Sequence, residues 1–159
     1  MSGRFAVILP LALLGLMAGC SSFPSEFKRA AERQERADAI EGAWQGTWKS
    51  DGGHHGALRC ILTAEPTNAK DVLPGGVGGA GAMVQYRASF EAKFWGIFTG
   101  HYKVLLTGSR QSNETVLKGD QNLGWYAGGV YHYEARVTAE EFHATYQSEA
   151  DDGVFEMKR

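Results

Sequence analysis

From Trp44 to the C-terminus, apolar and polar residues alternate with a period of two, which is the signature of strands with one buried face. Trp44, Gly46 and Trp48 share one face of a first strand, and Leu58, Cys60 and Leu62 one face of a second, near 56–64. Val84, Tyr86, Ala88, Phe90 and Ala92 alternate with Gln85, Arg87, Ser89, Glu91 and Lys93 in a third. A fourth sets Tyr102, Val104 and Leu106 against His101, Lys103 and Thr107, and a fifth runs near 114–119. Tyr131, Tyr133, Ala135 and Val137 point inward from a sixth, Phe142, Ala144 and Tyr146 from a seventh, and Phe155 and Met157 from an eighth. Placing Val137 opposite Phe142 aligns Ala135 with Ala144 and Tyr133 with Tyr146. A turn at 149–152 then sets Tyr146 opposite Phe155. Inward residues meet inward residues throughout, whereas a one-residue slip would invert a strand. An open meander of this length leaves two edges exposed, and closing the last strand onto the first removes both. The pattern predicts an all-β fold: an eight-stranded antiparallel up-and-down barrel over 42–159, preceded by one helix.

That helix is expected over Glu26 to Glu41, a stretch rich in Ala, Glu and Arg, with Gly42 as its C-terminal cap. Its thin apolar stripe suits packing against one end of the barrel or service as a spacer. Ahead of it, Arg4 and the apolar run Phe5 to Leu16 precede Met17-Ala18-Gly19-Cys20. The run is short for a membrane span. Small residues before a cysteine resemble a bacterial lipobox. The resemblance implies a signal peptide over 1–19, lipidation of Cys20, and a tether with its helix over 20–41. With Ser21 and Ser22 next, it further implies an outer-membrane lipoprotein facing the periplasm, partnered with the membrane through its lipid. Cys60 is then the one remaining cysteine of two, so no internal disulfide is expected. The length of 159 residues fits one domain. A net charge of −2 with no basic patch argues against nucleic acid as a partner.

Gly42-Ala43-Trp44 and Gly46-Thr47-Trp48 each read G-x-W at the start of the first strand. This resembles lipocalins, and G-T-W is similar to the opening of avidins and fatty-acid-binding proteins. The T-D-Y motif of lipocalins is absent, and the biotin-binding residues of avidins have no counterpart. The likeness therefore implies a calycin-like barrel without implying a ligand. It further implies that Trp44 and Trp48 close the barrel floor, with Arg159 of the last strand packed on the tryptophan.

In a meander the connections alternate between the two ends. The end away from the tether collects His54 and His55, then Phe94, Trp95 and Phe98, then Trp125 and Tyr126, and Asp151-Asp152. Aromatic side chains beside a few polar groups suit a small-molecule mouth, and the inward tyrosines supply hydroxyls to orient a ligand. Two readings follow. One is a lipid-anchored barrel that binds a small apolar or aromatic ligand at this rim. The other is a filled barrel, its aromatics folded over as a plug or docking an envelope protein. His54, His55, His101 and Asp151 are candidate transition-metal ligands, without an H-x-H or H-E-x-x-H spacing. The run Gly76 to Gly81 matches G-x-G-x-x-G but precedes a strand, so no helix N-terminus is there to hold a phosphate. Ser25-Glu26-Phe27-Lys28 matches S-x-x-K without its companion motifs. Cys60 reads as a buried, inert thiol. No catalytic or cofactor motif is found, so a non-enzyme without cofactor is expected.

Overall fold

The computed structural model describes residues 22–33, 39–66, 83–125 and 128–159. The signal segment 1–19, Cys20, the glycine-rich run 76–81 and Tyr126 lie outside the described residues. One helix, α1 (Phe23–Glu32), precedes β1 (Gly42–Ser50), β2 (His55–Ala64), β3 (Met83–Phe94) and β4 (Phe98–Gln111). β5 (Glu114–Asn122), β6 (Val130–Val137), β7 (Glu141–Gln147) and β8 (Asp152–Lys158) follow. Each strand pairs antiparallel with its neighbour in sequence, and β8 pairs with β1. The expected eight-stranded meander barrel is therefore the observed fold. β4 extends beyond its expected range because Gly100 and Gly108 interrupt the apolar alternation while the backbone continues to pair with β3.

Closure depends on close approach of β1 and β8, where Gly46 faces Met157 and Trp48 faces Phe155. A Cβ on Gly46 would overlap the Glu156 carbonyl oxygen. Gly46→Ala should therefore destabilise the barrel by about 1–3 kcal/mol, as overpacking does. The check is a lower urea midpoint with an unchanged denaturant slope.

The β6–β7 register is as expected, with Val137 opposite Phe142 and Tyr133 opposite Tyr146. The β7–β8 register differs by two residues: Tyr146 faces Gly153 and Ala144 faces Phe155. Inward residues still face inward, because a shift of two preserves the alternation. The shifted turn, 148–151, is set by side chains. Ser148 donates its hydroxyl to the Asp151 carbonyl at 2.9 Å, and the Ser148 amide donates to the Asp152 carboxylate at 3.1 Å. Gly153 is required opposite Tyr146, since a Cβ there would overlap the Lys49 carbonyl and crowd the phenol.

The helix starts earlier than expected and ends at Glu32, and residues 34–38 of the expected span lie outside the described residues. Pro24 lies in its first turn, where a missing N–H costs nothing. Residues 39–41 are not helical, and Gly42, at φ 123°, opens β1 instead of capping a helix. Barrel side chains take the carbonyls in this segment. Arg159 donates to the carbonyls of Ala39 and Glu41, and the Trp44 indole donates to Ile40 at 3.0 Å. The Arg159 guanidinium lies 4.4 Å from the Trp44 ring centre, a cation–π distance. Trp44 is fully buried, with the Phe142 ring 5.8 Å away.

α1 packs on the outer wall, not across an end. Phe23 meets His101 at 5.6 Å between ring centres, and the Arg59 guanidinium lies 5.4 Å from the Phe27 ring centre. Glu91, only 9% exposed, sits between Arg59 at 3.6 Å and His101 at 3.1 Å. Elsewhere the wall is charged, with ion pairs such as Lys118–Glu134 and Arg136–Glu114. A wall facing hydrocarbon would instead be apolar.

Candidate functional site

The barrel is packed at one height and open at another. Nearest the chain entry, Trp44, Leu62, Leu106, Leu117, Val137 and Phe142 fill the interior with large and branched side chains. Toward the opposite end the inward positions become aromatic or very small. There Trp48, Ala92, Phe94, Gly100, Tyr102, Tyr131, Tyr133, Tyr146 and Phe155 surround a cavity of ≈ 610 Å³ that opens at the rim. That volume lies in the range of small-molecule sites. Small residues create it: Ala92 and Gly100 are register partners on neighbouring strands and leave room that bulkier pairs would occupy.

The aromatic walls are braced. Tyr102 stacks on Phe90 at 5.1 Å, and Phe155 lies 5.0 Å from Tyr146 and 5.5 Å from Phe90. Tyr131 packs 5.9 Å from Tyr146 and 6.3 Å from Tyr133. At the mouth Tyr146 donates its hydroxyl to the Asp151 carboxylate at 3.0 Å, and Ser50 donates to the other carboxylate oxygen. The Gly52 amide donates to Ser50 Oγ at 3.0 Å and fixes that hydroxyl. Ser50, Asp151 and Tyr146 thus form a polar node at an otherwise aromatic entrance.

The sequence pattern places Asp151 at this rim, in a turn and as a candidate metal ligand, and does not join it to Ser50 or Tyr146. The signal was the β7–β8 register. With Gly153 opposite Tyr146, the phenol has room to reach the Asp151 carboxylate.

Among the described rim residues, Trp95, Ile97, Phe98 and Trp125 do not fold inward as a plug. They are 72%, 78%, 59% and 92% exposed. His54 meets Trp95 edge to face at 6.3 Å, and Trp95 meets Phe98 at 6.2 Å. Trp95 has φ 50° in the β3–β4 turn, a position that ordinarily takes Asn or Gly. The backbone therefore carries a cost to present an indole there. Phe94 lies lower, against Trp48 at 5.1 Å.

Trp48 is not a floor residue. β1 carries it to the open end, where its indole donates to the Lys93 carbonyl at 2.9 Å and lines the cavity. Only Trp44 and Arg159 sit together at the chain-entry end. The metal grouping does not assemble either. His101 points outward to Glu91, Asp151 is engaged by Ser50 and Tyr146, and His54 and His55 are exposed. Among the described residues no group of three or more His, Cys, Asp or Glu is placed to hold a metal. Cys60 is fully buried, and burial pushes its thiol far up, so the reactive thiolate is suppressed.

Burial is also the main cause that raises the phenols of Tyr102, Tyr133 and Tyr146 above the ordinary 10. For Tyr146 the hydrogen bond to Asp151 and that residue's charge add to the rise. Below about pH 10 both folded and unfolded chains keep these protons, and the stability they support is fully present. Above it the unfolded chain loses protons that the fold retains, so stability should fall as pH rises. The expected loss is at most about 1.4 kcal/mol per pH unit for each phenol, less for Tyr146, which water screens at the mouth. A urea midpoint that drops above about pH 10, with phenolate absorbance appearing together with unfolding, is the check.

No family model matches the chain, and neither does any curated protein or solved structure.

Proposed function

We propose that this protein is a binding module for a small apolar or aromatic ligand, held in the barrel through the mouth formed by Trp48, Phe94, Tyr146 and Asp151. The observation that carries this reading is the ≈ 610 Å³ cavity, lined by aromatic faces and open at one rim. Burial of a ligand against such faces supplies the driving force, and the hydroxyls of Tyr102, Tyr131, Tyr133 and Tyr146 offer directional contacts. A lipid anchor on Cys20 that holds the barrel at the outer membrane, facing the periplasm, belongs to the same proposal. Its support is the Met17–Cys20 pattern and the charged outer wall. A lipocalin-like origin is supported by the G-x-W start and by Arg159 on Trp44.

The test is titration of the full chain with the neutral fluorophore N-phenyl-1-naphthylamine. Saturable one-to-one enhancement with energy transfer from tryptophan is expected, and the absence of saturable binding would refute the cavity as a ligand site. For the anchor, Cys20→Ser should move the protein from the membrane fraction to the soluble one. Continued retention would refute lipidation.

A second reading has its own observation. Trp95, Ile97, Phe98 and Trp125 form an exposed apolar rim, and such rims serve protein docking. In that case a partner protein covers the mouth and the cavity stays incidental.

A further inference from the structure

Within the ligand-cavity reading, on which this inference rests, the charge of the lining selects among ligands. Among the described residues around the cavity, Asp151 is the one carboxylate, and no Lys or Arg is present. The other ionisable side chains near the mouth are the imidazoles of His54 and His55 and the four phenols, since the His101 imidazole turns outward to Glu91.

Asp151 makes no ion pair among the described residues. Its carboxylate accepts hydroxyl hydrogen bonds from Ser50 and Tyr146, which hold it in place without neutralising it. A carboxylate has about four acceptor sites, so two such bonds leave capacity for a third partner. Its charge reaches the lining: after burial and the hydrogen bond, the field of Asp151 is a further cause of the raised Tyr146 phenol.

The neighbouring surfaces are π faces. Tyr146, Phe155 and Tyr131 are linked by ring separations of 5.0 and 5.9 Å, and Trp48 and Phe94 lie 5.1 Å apart. The face of an aromatic ring is electron-rich and attracts a cation within about 6 Å, most strongly an alkylated ammonium that sheds water easily. A fixed carboxylate beside such rings adds a Coulomb attraction of the same sign. A fatty-acid-like anion would meet the reverse: repulsion from Asp151 and no cation to pair with in the lining.

We infer that the preferred ligand is an organic cation, an apolar or aromatic body bearing an amine or quaternary ammonium, whose charged end sits at the mouth beside Asp151 and among Trp48, Tyr131 and Tyr146. The apolar body enters toward Tyr102, Tyr133 and Phe155. The aromatic rings and the single carboxylate then have one common purpose. The node also acquires a role, since Ser50 and Tyr146 aim and retain the carboxylate.

The experiment is calorimetric titration of the full chain at pH 8, above the range in which a free imidazole titrates. Three probes share a phenyl ring: benzyltrimethylammonium, its uncharged isostere neopentylbenzene, and phenylacetate. The cation is expected to bind at least about tenfold more tightly than the neutral isostere, and phenylacetate more weakly than both. Asp151→Asn should remove most of the cation's advantage over neopentylbenzene, both affinities being read on the same variant. Equal affinity of cation and isostere, or tighter binding of phenylacetate, overturns the inference and leaves the cavity reading standing. Failure of all three probes to bind overturns both. An unchanged preference in a folded Asp151→Asn protein overturns the role of the carboxylate. The comparison among the probes uses the native protein, so it decides the question even if the variant does not fold.

Discussion

Replacing Trp44 by alanine should lower the unfolding free energy by about 3–5 kcal/mol, the range for emptying a large aromatic site in a packed core. Small domains have only about 5–15 kcal/mol in total, so the variant should be close to unfolded at physiological temperature. Three losses coincide at this residue. The indole is fully buried, and its removal leaves a void against Phe142. The Ile40 carbonyl loses its 3.0 Å donor. Arg159 loses the ring beneath its guanidinium, a group that burial already disfavours in charged form. Trp44→Phe keeps most of the apolar volume and should cost about 1–2 kcal/mol, chiefly for the lost hydrogen bond. Trp48→Ala is the informative contrast. Its indole borders open cavity, so fewer packing contacts vanish and the stability loss should be smaller than for Trp44→Ala. Urea denaturation of the three variants gives this order directly.

The second large effect concerns binding. Gly100 points into the cavity opposite Ala92. The three atoms nearest a Cβ there all belong to the Phe94 ring, the closest at 3.0 Å, and that ring can shift toward the open mouth. Gly100→Trp should therefore fill the cavity with an indole while the barrel remains closed. Affinity for N-phenyl-1-naphthylamine is expected to fall at least tenfold, a loss of about 1.4 kcal/mol or more, with the urea midpoint little changed. If the probe instead binds the exposed rim of Trp95, Ile97, Phe98 and Trp125, Gly100→Trp leaves its affinity intact.

The barrel was legible because its signal is redundant. Eight strands each repeat the same alternation, and closure satisfies edges that would otherwise stay open. Alternation, however, specifies a face and not a height. It gave Trp44 and Trp48 the same inward direction, and the distance along β1 between them separates a packed end from an open mouth. Register is blind in the same way to shifts of two. The Ser148 side chain and Gly153 decide the β7–β8 pairing, and with it the meeting of Tyr146 and Asp151.

Propensity favours helix over 39–41, whereas Arg159 claims the Ala39 and Glu41 carbonyls from across the closed barrel and the nearby Trp44 indole takes that of Ile40. Nothing local announces a partner 120 residues away. The pairing of Glu91 with Arg59 and His101 was likewise hidden. Parity places Glu91 outward, and only the docking of Phe23 and Phe27 on Arg59 and His101 brings α1 over that position. Cavity and plug are also indistinguishable by pattern, since both need inward aromatics. The difference lies in Ala92 and Gly100, whose small size matters only once they are known to face each other.

The most direct test of a ligand held inside the barrel is where a bound probe is felt. Amide and aromatic NMR shifts of the full chain, followed during titration with N-phenyl-1-naphthylamine, give that location. The expected result is saturating shifts at Ala92, Gly100, Tyr102, Tyr146 and Phe155, deep in the cavity. Shifts confined to Trp95, Ile97, Phe98 and Trp125, with the interior unmoved, would contradict it and assign the rim to docking.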